Sequence, residues 1–214
     1  MKKIELKLSL LIVLAFFATV GNAQVRYPQG GLLSYLAYKT AEKEMPEHGF
    51  LPGKKFPTYD LIGKYNFSGK KVKVILYDDR DALHLKKINC SNEELTNQTE
   101  FKKDEGIAKV WLYVNKLFGN ANIVIDSSAS DSMEIRLQAL DCREIGFGKV
   151  SVHGLCQVAV TRNGSTSTYC TDLADGDKTS PLGKSSFVTR KTAMRFMVSA
   201  AIRNTIEEIL IGMK

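Results

Sequence analysis

After residue 70, the spacing of hydrophobic and polar residues switches several times between the period of a strand and the period of a helix. The run 72–77 is β-branched and aromatic, which predicts a strand, and the acidic sequence 78–81 follows it. After a polar stretch, an apolar stripe with the period of a helix is formed by Ile107, Val110, Trp111, Val114, Leu117 and Phe118. Gly119 then stands where a glycine at the C-terminal end of a helix is expected.

The second half of the chain is dominated by strand patterns. The apolar segment 123–125 predicts a short strand, and alternating apolar and polar residues over 133–139 and 150–160 predict two half-buried strands. The alternation shifts phase near Leu140, which indicates a β-bulge. Asn163-Gly164 is a hairpin signal, and 166–173 is the predicted returning strand. A polar loop and a long closing helix over 189–213 complete the pattern.

The predicted order is one strand, one helix, four strands and one helix. Because strands and helices do not alternate, the order favours an α+β fold with a mixed, mostly antiparallel sheet of about five strands and two helices on one face. We place this domain at 71–214. The segment 24–70 is predicted to be an N-terminal arm or linker, with a short amphipathic helix over 39–45 that Pro46 ends.

The first 23 residues have the pattern of a secretory signal. Lysines precede an apolar core at 8–18, and Gly21-Asn22-Ala23 supplies the small residues that a signal peptidase reads. The core is shorter than the ~20 residues that a membrane-spanning helix needs. We therefore expect export to the periplasm or the medium, with an uncleaved anchor as the alternative. A lipid anchor is not expected, because Gln24 and not cysteine follows the predicted cleavage site.

Length and charge restrict the function only weakly. Removing 23 of 214 residues leaves 191, which suits one domain with an arm. The formal charge of +7 falls to +5, because the signal carries three lysines and one glutamate. The remaining lysines are scattered along the chain, as on an ordinary solvated surface. The net charge helps contact with anionic surfaces, but we expect no nucleic-acid partner.

The cysteine content indicates disulfides. The chain contains four cysteines, Cys90, Cys142, Cys156 and Cys170. Their even number and the predicted export favour two bridges. A zinc site is the alternative, but no pair has the close spacing that such sites prefer.

The hairpin suggests how the cysteines pair. A three-residue loop over 162–164 would place Cys156 opposite Cys170 on the same face of the sheet. A two-residue Asn-Gly turn would instead pair Cys156 with Thr171 and put the cysteines on opposite faces. The cysteines themselves favour the first register, and a bridge between Cys90 and Cys142 then follows by elimination.

One charged cluster lies beside a strand end, and it consists of Asp78, Asp79, Arg80 and Asp81. Three carboxylates at one place can bind a divalent cation or act as acid and base, whereas strand-end aspartate and arginine more often cap and brace a turn. The bracing role is our prediction. We predict no catalytic residue, no metal site and no cofactor, because His48, His84 and His153 are isolated and no nucleophile elbow is present.

The Asp-x-Arg motif at 78–80, the amphipathic helix ending at Gly119, and the stretches 133–137 and 144–147 give the chain a familiar layout. The layout resembles the small envelope proteins similar to the lipopolysaccharide-assembly lipoprotein, and related uncharacterised outer-membrane lipoproteins. The resemblance covers about 71–214, and it implies a non-enzymatic envelope protein that binds a membrane protein or an amphiphile. The chain departs from that pattern in lacking a lipidated cysteine and in adding the arm and four cysteines.

Three functions follow as hypotheses. The first is an exported, non-catalytic binding or assembly protein of the cell envelope, which contacts a protein partner through the open face of the sheet, its edge or the arm. The second is a secreted effector or inhibitor that binds a foreign protein, such as a host protein. The third is a secreted hydrolase centred on Asp78, Asp79 and Asp81 with His84.

Overall fold

The computed structural model describes residues 25–27, 36, 38–40, 65–98, 101, 103–145, 151–177, 180–182 and 189–214. The strands are β1 (Val25–Tyr27), β2 (Lys70–Asp78), β3 (Ile123–Ile125), β4 (Ser132–Ile145), β5 (Ser151–Arg162) and β6 (Ser165–Ala174). The helices with defined bounds are α1 (Arg80–Leu83), α2 (Lys103–Asn120) and α3 (Arg190–Gly212). The predicted signal, most of the predicted arm and the greater part of its predicted helix lie outside the described residues.

The fold is α+β, as the order of the predicted elements indicates. The strands form a mixed sheet in the order β1-β2-β4-β5-β6, with β3 beside the beginning of β2. β2 runs parallel to β3 and β4, and the other neighbouring strands are antiparallel. α2 and α3 pack on one face of the sheet and enclose the main hydrophobic core with it. We call the opposite side of the sheet the outer face.

α2 makes the crossover between the parallel strands, which a short hairpin cannot provide. After α2, the chain runs alongside β2 twice. β3 pairs with residues 70–72, and β4 pairs with residues 73–78. The turn between β3 and β4 also stays beside β2, because Asp126 N–H donates to Val72 O and Lys73 N–H donates to Asp131 O. The segment 123–137 is therefore one interrupted strand along β2, and β4 continues beyond the end of β2 to Ile145.

The predicted end of α2 is wrong by one residue. The helix includes Gly119 and ends at Asn120. The left-handed position belongs to Asn122, whose φ is 55°. Asparagine tolerates this conformation better than most residues. Asn122 N–H donates to Gly119 O and closes the last turn, so the glycine is not needed as the terminating residue.

The predicted phase shift in β4 is confirmed. The register between β4 and β5 shifts between Leu137 and Ala139. The extra residue lets both Leu137 and Leu140 face the core, and both are fully buried. Beyond the bulge, Ala139 and Asp141 point to the outer face, which becomes important for the loop that covers it.

The predicted hairpin register is wrong. Arg162 pairs with Ser165, so the turn has two residues, Asn163 and Gly164, with φ values of 51° and 76°. Positive φ at both central residues is the geometry of a type I′ turn, which an Asn-Gly pair adopts readily. The Cα partner of Cys156 is consequently Thr171, and Cys170 pairs with Gln157.

The predicted disulfides are wrong for the same reason. Cys170 lies on the outer face and is bonded to Cys90, with 6.0 Å between their Cα atoms. Cys142 and Cys156 are buried thiols on the core side of the sheet. Burial raises the pKa of the Cys156 thiol to about 12, although a hydrogen bond with Thr205 opposes the change. This thiol is therefore protonated and poorly reactive at neutral pH.

α3 approaches the sheet closely at one glycine. A Cβ atom on Gly154 of β5 would lie 2.1 Å from the backbone oxygen of Met197. The obstructing atom belongs to the helix backbone and cannot rotate away. Gly154 therefore sets the distance between α3 and β5, and a larger residue would separate the helix from the sheet.

Candidate functional site

Asp78 and Arg80 form a buried, two-bonded ion pair at the end of β2. Arg80 Nε donates to Asp78 Oδ1 at 2.9 Å, and Nη2 donates to Oδ2 at 2.7 Å. The third nitrogen, Nη1, donates to the backbone oxygen of Phe101 at 2.7 Å, just before α2. Both side chains are almost fully buried. The pair thus fastens the end of β2 to the beginning of α2.

Gly106 makes room for this pair. A Cβ atom at that position in α2 would lie 2.8 Å from Arg80 Nη2. The guanidinium lies directly against the helix backbone, a position that a side chain on residue 106 would block. The Asp-x-Arg motif therefore braces the end of β2 against α2, where Gly106 leaves room for the guanidinium.

Asp79 takes part in a different group on the outer face. Arg136 Nη1 donates to Asp79 at 3.2 Å, and Nη2 donates to Glu134 at 3.0 Å. The guanidinium carbon of Arg136 also lies 4.4 Å from the centroid of the Tyr77 ring, its direct neighbour across the sheet. Burial opposes the charge, but the hydrogen bonds to Asp79 and Glu134 outweigh it and raise the pKa of Arg136.

Asp81 and His84, the other residues of the hypothetical hydrolase, lie at the surface in and after α1. The structure thus divides the predicted cluster between the α2 brace, the outer face and the exposed end of α1. Within the described part of the chain, no three His, Cys, Asp or Glu residues are placed to hold a metal ion. His153 contacts Asp172 at 2.7 Å, and His48 lies outside the described residues.

The loop after α1 crosses the outer face of the sheet, and we call residues 84–98 the strap. Ile88 and Leu95 of the strap pack on Ala139 of β4 and Leu155 of β5, forming a second, smaller core. The disulfide from Cys90 fastens the middle of the strap to β6. The outer face is consequently covered over the second half of β4 and the adjoining parts of β5 and β6.

Polar side chains of the sheet hold the strap at both ends. The carboxylate of Asp141 accepts hydrogen bonds from the backbone N–H of Thr96 at 2.7 Å and of Asn97 at 2.5 Å. Gln157 accepts a bond from Asn89 N–H at 2.7 Å. Burial raises the pKa of Asp141, against the opposing effect of these backbone donors. A buried carboxylate is tolerated here because it satisfies two backbone groups of the strap.

The part of the outer face that the strap leaves open contains Tyr77 and Arg136. The Arg136 side chain retains 30% of its accessible surface, and Tyr77 is partly exposed. Both are held in place, because the arginine is bonded to two carboxylates and stacked on the ring. We call Tyr77, Asp79, Glu134 and Arg136 the outer-face cluster. A fixed aromatic side chain with a cation above it is suited to contact another protein surface.

Buried polar residues between the helices are the feature that sequence reasoning missed. Lys109 of α2 is 2% exposed, and its Nζ lies 3.3 Å from the hydroxyl of Ser199 in α3. Burial lowers the pKa of Lys109 to about 8, while Glu105 opposes the change. In α3, Arg203 and Glu207 form a buried ion pair. Lys109 is not part of the apolar stripe of α2, and a lysine at such a position predicts a solvated face, so only the packing of α3 reveals these contacts.

No protein-family model and no curated protein matches the chain. Among solved structures, the chain is similar to a minor lipoprotein from Acinetobacter baumannii, with 10% identity and a TM-score of 0.38 over 68% of this chain and 92% of that one. It is also similar to a Xanthomonas campestris protein of the family DUF330, with 10% identity and a TM-score of 0.34 over 75% and 87% of the two chains. Similarity at this level carries no argument about function.

No helix among the described residues has the length and apolar character needed to cross a membrane.

Proposed function

We propose that this chain is an exported, non-catalytic binding or assembly protein of the cell envelope, which contacts a protein partner through the outer-face cluster. The observation that carries the proposal is the arrangement of Arg136, stacked 4.4 Å above Tyr77 and bonded to Asp79. Arginine and tyrosine are enriched among the residues that dominate protein interfaces. Because both side chains are already fixed, little conformational entropy is lost when a partner binds.

The acidic residues support a binding role better than a hydrolase. The Asp78 carboxylate accepts three hydrogen bonds from Arg80, counting its backbone N–H, and lies in the core. Asp79 is engaged by Arg136. A general base must lie within reach of a substrate proton, whereas the Asp78 carboxylate is buried and ion-paired with Arg80.

Export is the second part of the proposal, and it rests on the signal pattern of residues 1–23. Intact-mass analysis of the protein recovered from the envelope or the medium should give a chain that begins at Gln24 and carries no lipid. A chain that retains Met1, or a lipid adduct, would contradict export by cleavage.

Photo-crosslinking tests the binding surface. A photoreactive phenylalanine analogue replaces Tyr77 in protein that is expressed and exported by the cell. The matched control carries the analogue at Val124 of β3, which is 45% exposed. We expect a discrete crosslinked protein from position 77 and not from position 124. A product from the organism's own envelope supports an assembly role, and a foreign protein supports the effector hypothesis. Equal, diffuse labelling at both positions would contradict the proposed surface.

A further inference from the structure

β6 has an edge without the usual protection against strand pairing. Among the described residues, β6 pairs with β5 alone and ends the sheet. The register with β5 continues through ten pairs without a bulge. Residues 165–171 include no charge and no proline, and residues 165–168 are exposed. Natural proteins protect long edge strands with charges, prolines or bulges, so the segment 165–171, which lacks all three, is a site for another strand.

The other edge of the sheet differs. Among the described residues it consists of β1, which has only three residues, and of the part of β2 before residue 76, which β1 does not reach and which carries Lys70, Lys71 and Lys73 as protecting charges. A very short edge strand is itself a form of protection. The sheet therefore has one edge that discourages association and one that permits it.

We propose that two copies of this chain join through β6, with the two strands antiparallel and centred on Thr168. Thr168 is the middle residue of the neutral segment 165–171, so in this register it faces Thr168 of the other copy. Ser165 then faces Thr171, and Ser167 faces Tyr169. No pair in this register brings like charges together, and hydroxyl residues opposite each other form favourable cross-strand pairs. Because residues 165–171 carry no charge, they offer no electrostatic contact that would select the strand of a different protein.

The position of α3 agrees with this occupant. An ideal Cβ on Gly212 would lie 2.5 Å from the hydroxyl of Tyr169, so the end of α3 lies directly over β6. The next residue toward the N-terminus, Ile211, is 44% exposed. In the proposed register the sheet continues with all helices on the same face. The C-terminal turns of the two α3 helices then meet near the two-fold axis, and Ile211 gains a partner for its apolar surface.

The disulfide does not block the edge. Cys170 projects to the outer face, where it is bonded to Cys90 in the strap. The backbone groups of the β6 edge lie in the plane of the sheet, perpendicular to that bond. This association is also separate from the outer-face cluster, because β6 and β2 are separated by β4 and β5.

Sedimentation equilibrium of the chain 24–214 up to ~100 µM measures the association, a range in which a micromolar dissociation constant is resolved. We expect a dimer. Thr168→Lys and Thr168→Glu each place like charges on two residues that face each other across the two-fold axis, with their Cβ atoms about 5 Å apart, and should weaken the dimer at least about tenfold. Val124→Lys, which adds the same charge on β3, should leave the dimer unchanged. Circular dichroism checks that every variant is folded.

Mixing the two charged variants supplies the decisive comparison. Lysine and glutamate then face each other across the axis, so the equimolar mixture should recover the dimer that each variant loses. A monomeric wild-type chain, a dimer that neither substitution weakens, or a mixture that stays monomeric would overturn the proposal. None of these results affects the crosslink at Tyr77, so self-association and partner binding are tested separately.

Discussion

A disulfide joins Cys90 to Cys170, two residues that are 80 positions apart in the chain. It fastens the strap to β6 and keeps Ile88 and Leu95 on the outer surface of β4 and β5. Cross-linking a loop of this length removes many conformations from the unfolded chain. The chain-entropy model assigns such a link on the order of 4 kcal/mol of stabilisation.

Removing the disulfide should destabilise the fold in a characteristic way. Cys90→Ser and Cys170→Ser should each lower the free energy of unfolding by about 2–4 kcal/mol in urea titrations. The double variant should cost little more than either single variant, because all three lack the same bond. Non-reducing peptide mapping should link these two cysteines. A peptide that joins Cys156 to Cys170 would contradict the structure of the hairpin.

The Asp78–Arg80 brace gives a second prediction. Asp78→Asn leaves the Arg80 guanidinium buried beside α2 without its counter-charge, which costs about 3–5 kcal/mol in other proteins. Asp81→Asn, on the exposed surface of α1, should change stability by less than about 0.5 kcal/mol. Thermal and urea unfolding measure both. A hydrolase centred on this cluster would instead lose activity in both variants, while Asp78→Asn retained its stability.

Lys109 makes stability depend on pH. Its pKa is lowered to about 8 in the folded protein, whereas an unfolded lysine titrates near its ordinary value of 10.5. Between these values the unfolded chain binds more protons, so stability rises with pH. Below pH 8 Lys109 is protonated in both the folded and the unfolded chain, and burying its charge lowers the free energy of unfolding by on the order of 3 kcal/mol.

Lys109→Met should remove this dependence. The variant should be at least as stable as wild type at pH 7, and the wild type should recover part of the difference between pH 8 and 10. Urea unfolding of both proteins at pH 7 and 10 isolates the contribution of residue 109, because the two proteins are identical at every other position. Parallel stabilities at both pH values would show that the lysine is not buried as a cation at pH 7.

Much of the fold was predictable because it follows from local periodicity. Neighbouring residues alone are enough to recognise the alternation in β4 and β5 and the apolar stripe of α2. The strand β1 was not predicted, because three residues carry no periodic signal and their pairing depends on β2. The predicted turn length at Asn163 is wrong because it gives the pairing of Cys156 with Cys170 more weight than the preference of Asn-Gly for a two-residue turn.

The outer-face cluster was only half visible in the sequence. Asp79 belonged to a conspicuous acidic run, but its partner Arg136 lies 57 positions away on a parallel strand. The sequence predicts only a polar loop for the strap, for the same reason: Asp141, which holds the strap, follows a bulge that reverses which face a residue points to. Contacts between distant segments depend on register, and a one-residue change in register exchanges the two faces.

The most direct test of the binding role is the yield of the Tyr77 crosslink in an Arg136→Ala background, at matched amounts of folded protein. If the outer-face cluster binds the partner, loss of the stacked guanidinium should reduce the yield at least about tenfold, as expected for a residue that dominates an interface. Lys71→Ala, which removes a cation at an exposed position of β2, the strand of Tyr77, is the control and should leave the yield unchanged. An undiminished crosslink in folded Arg136→Ala protein would contradict the account.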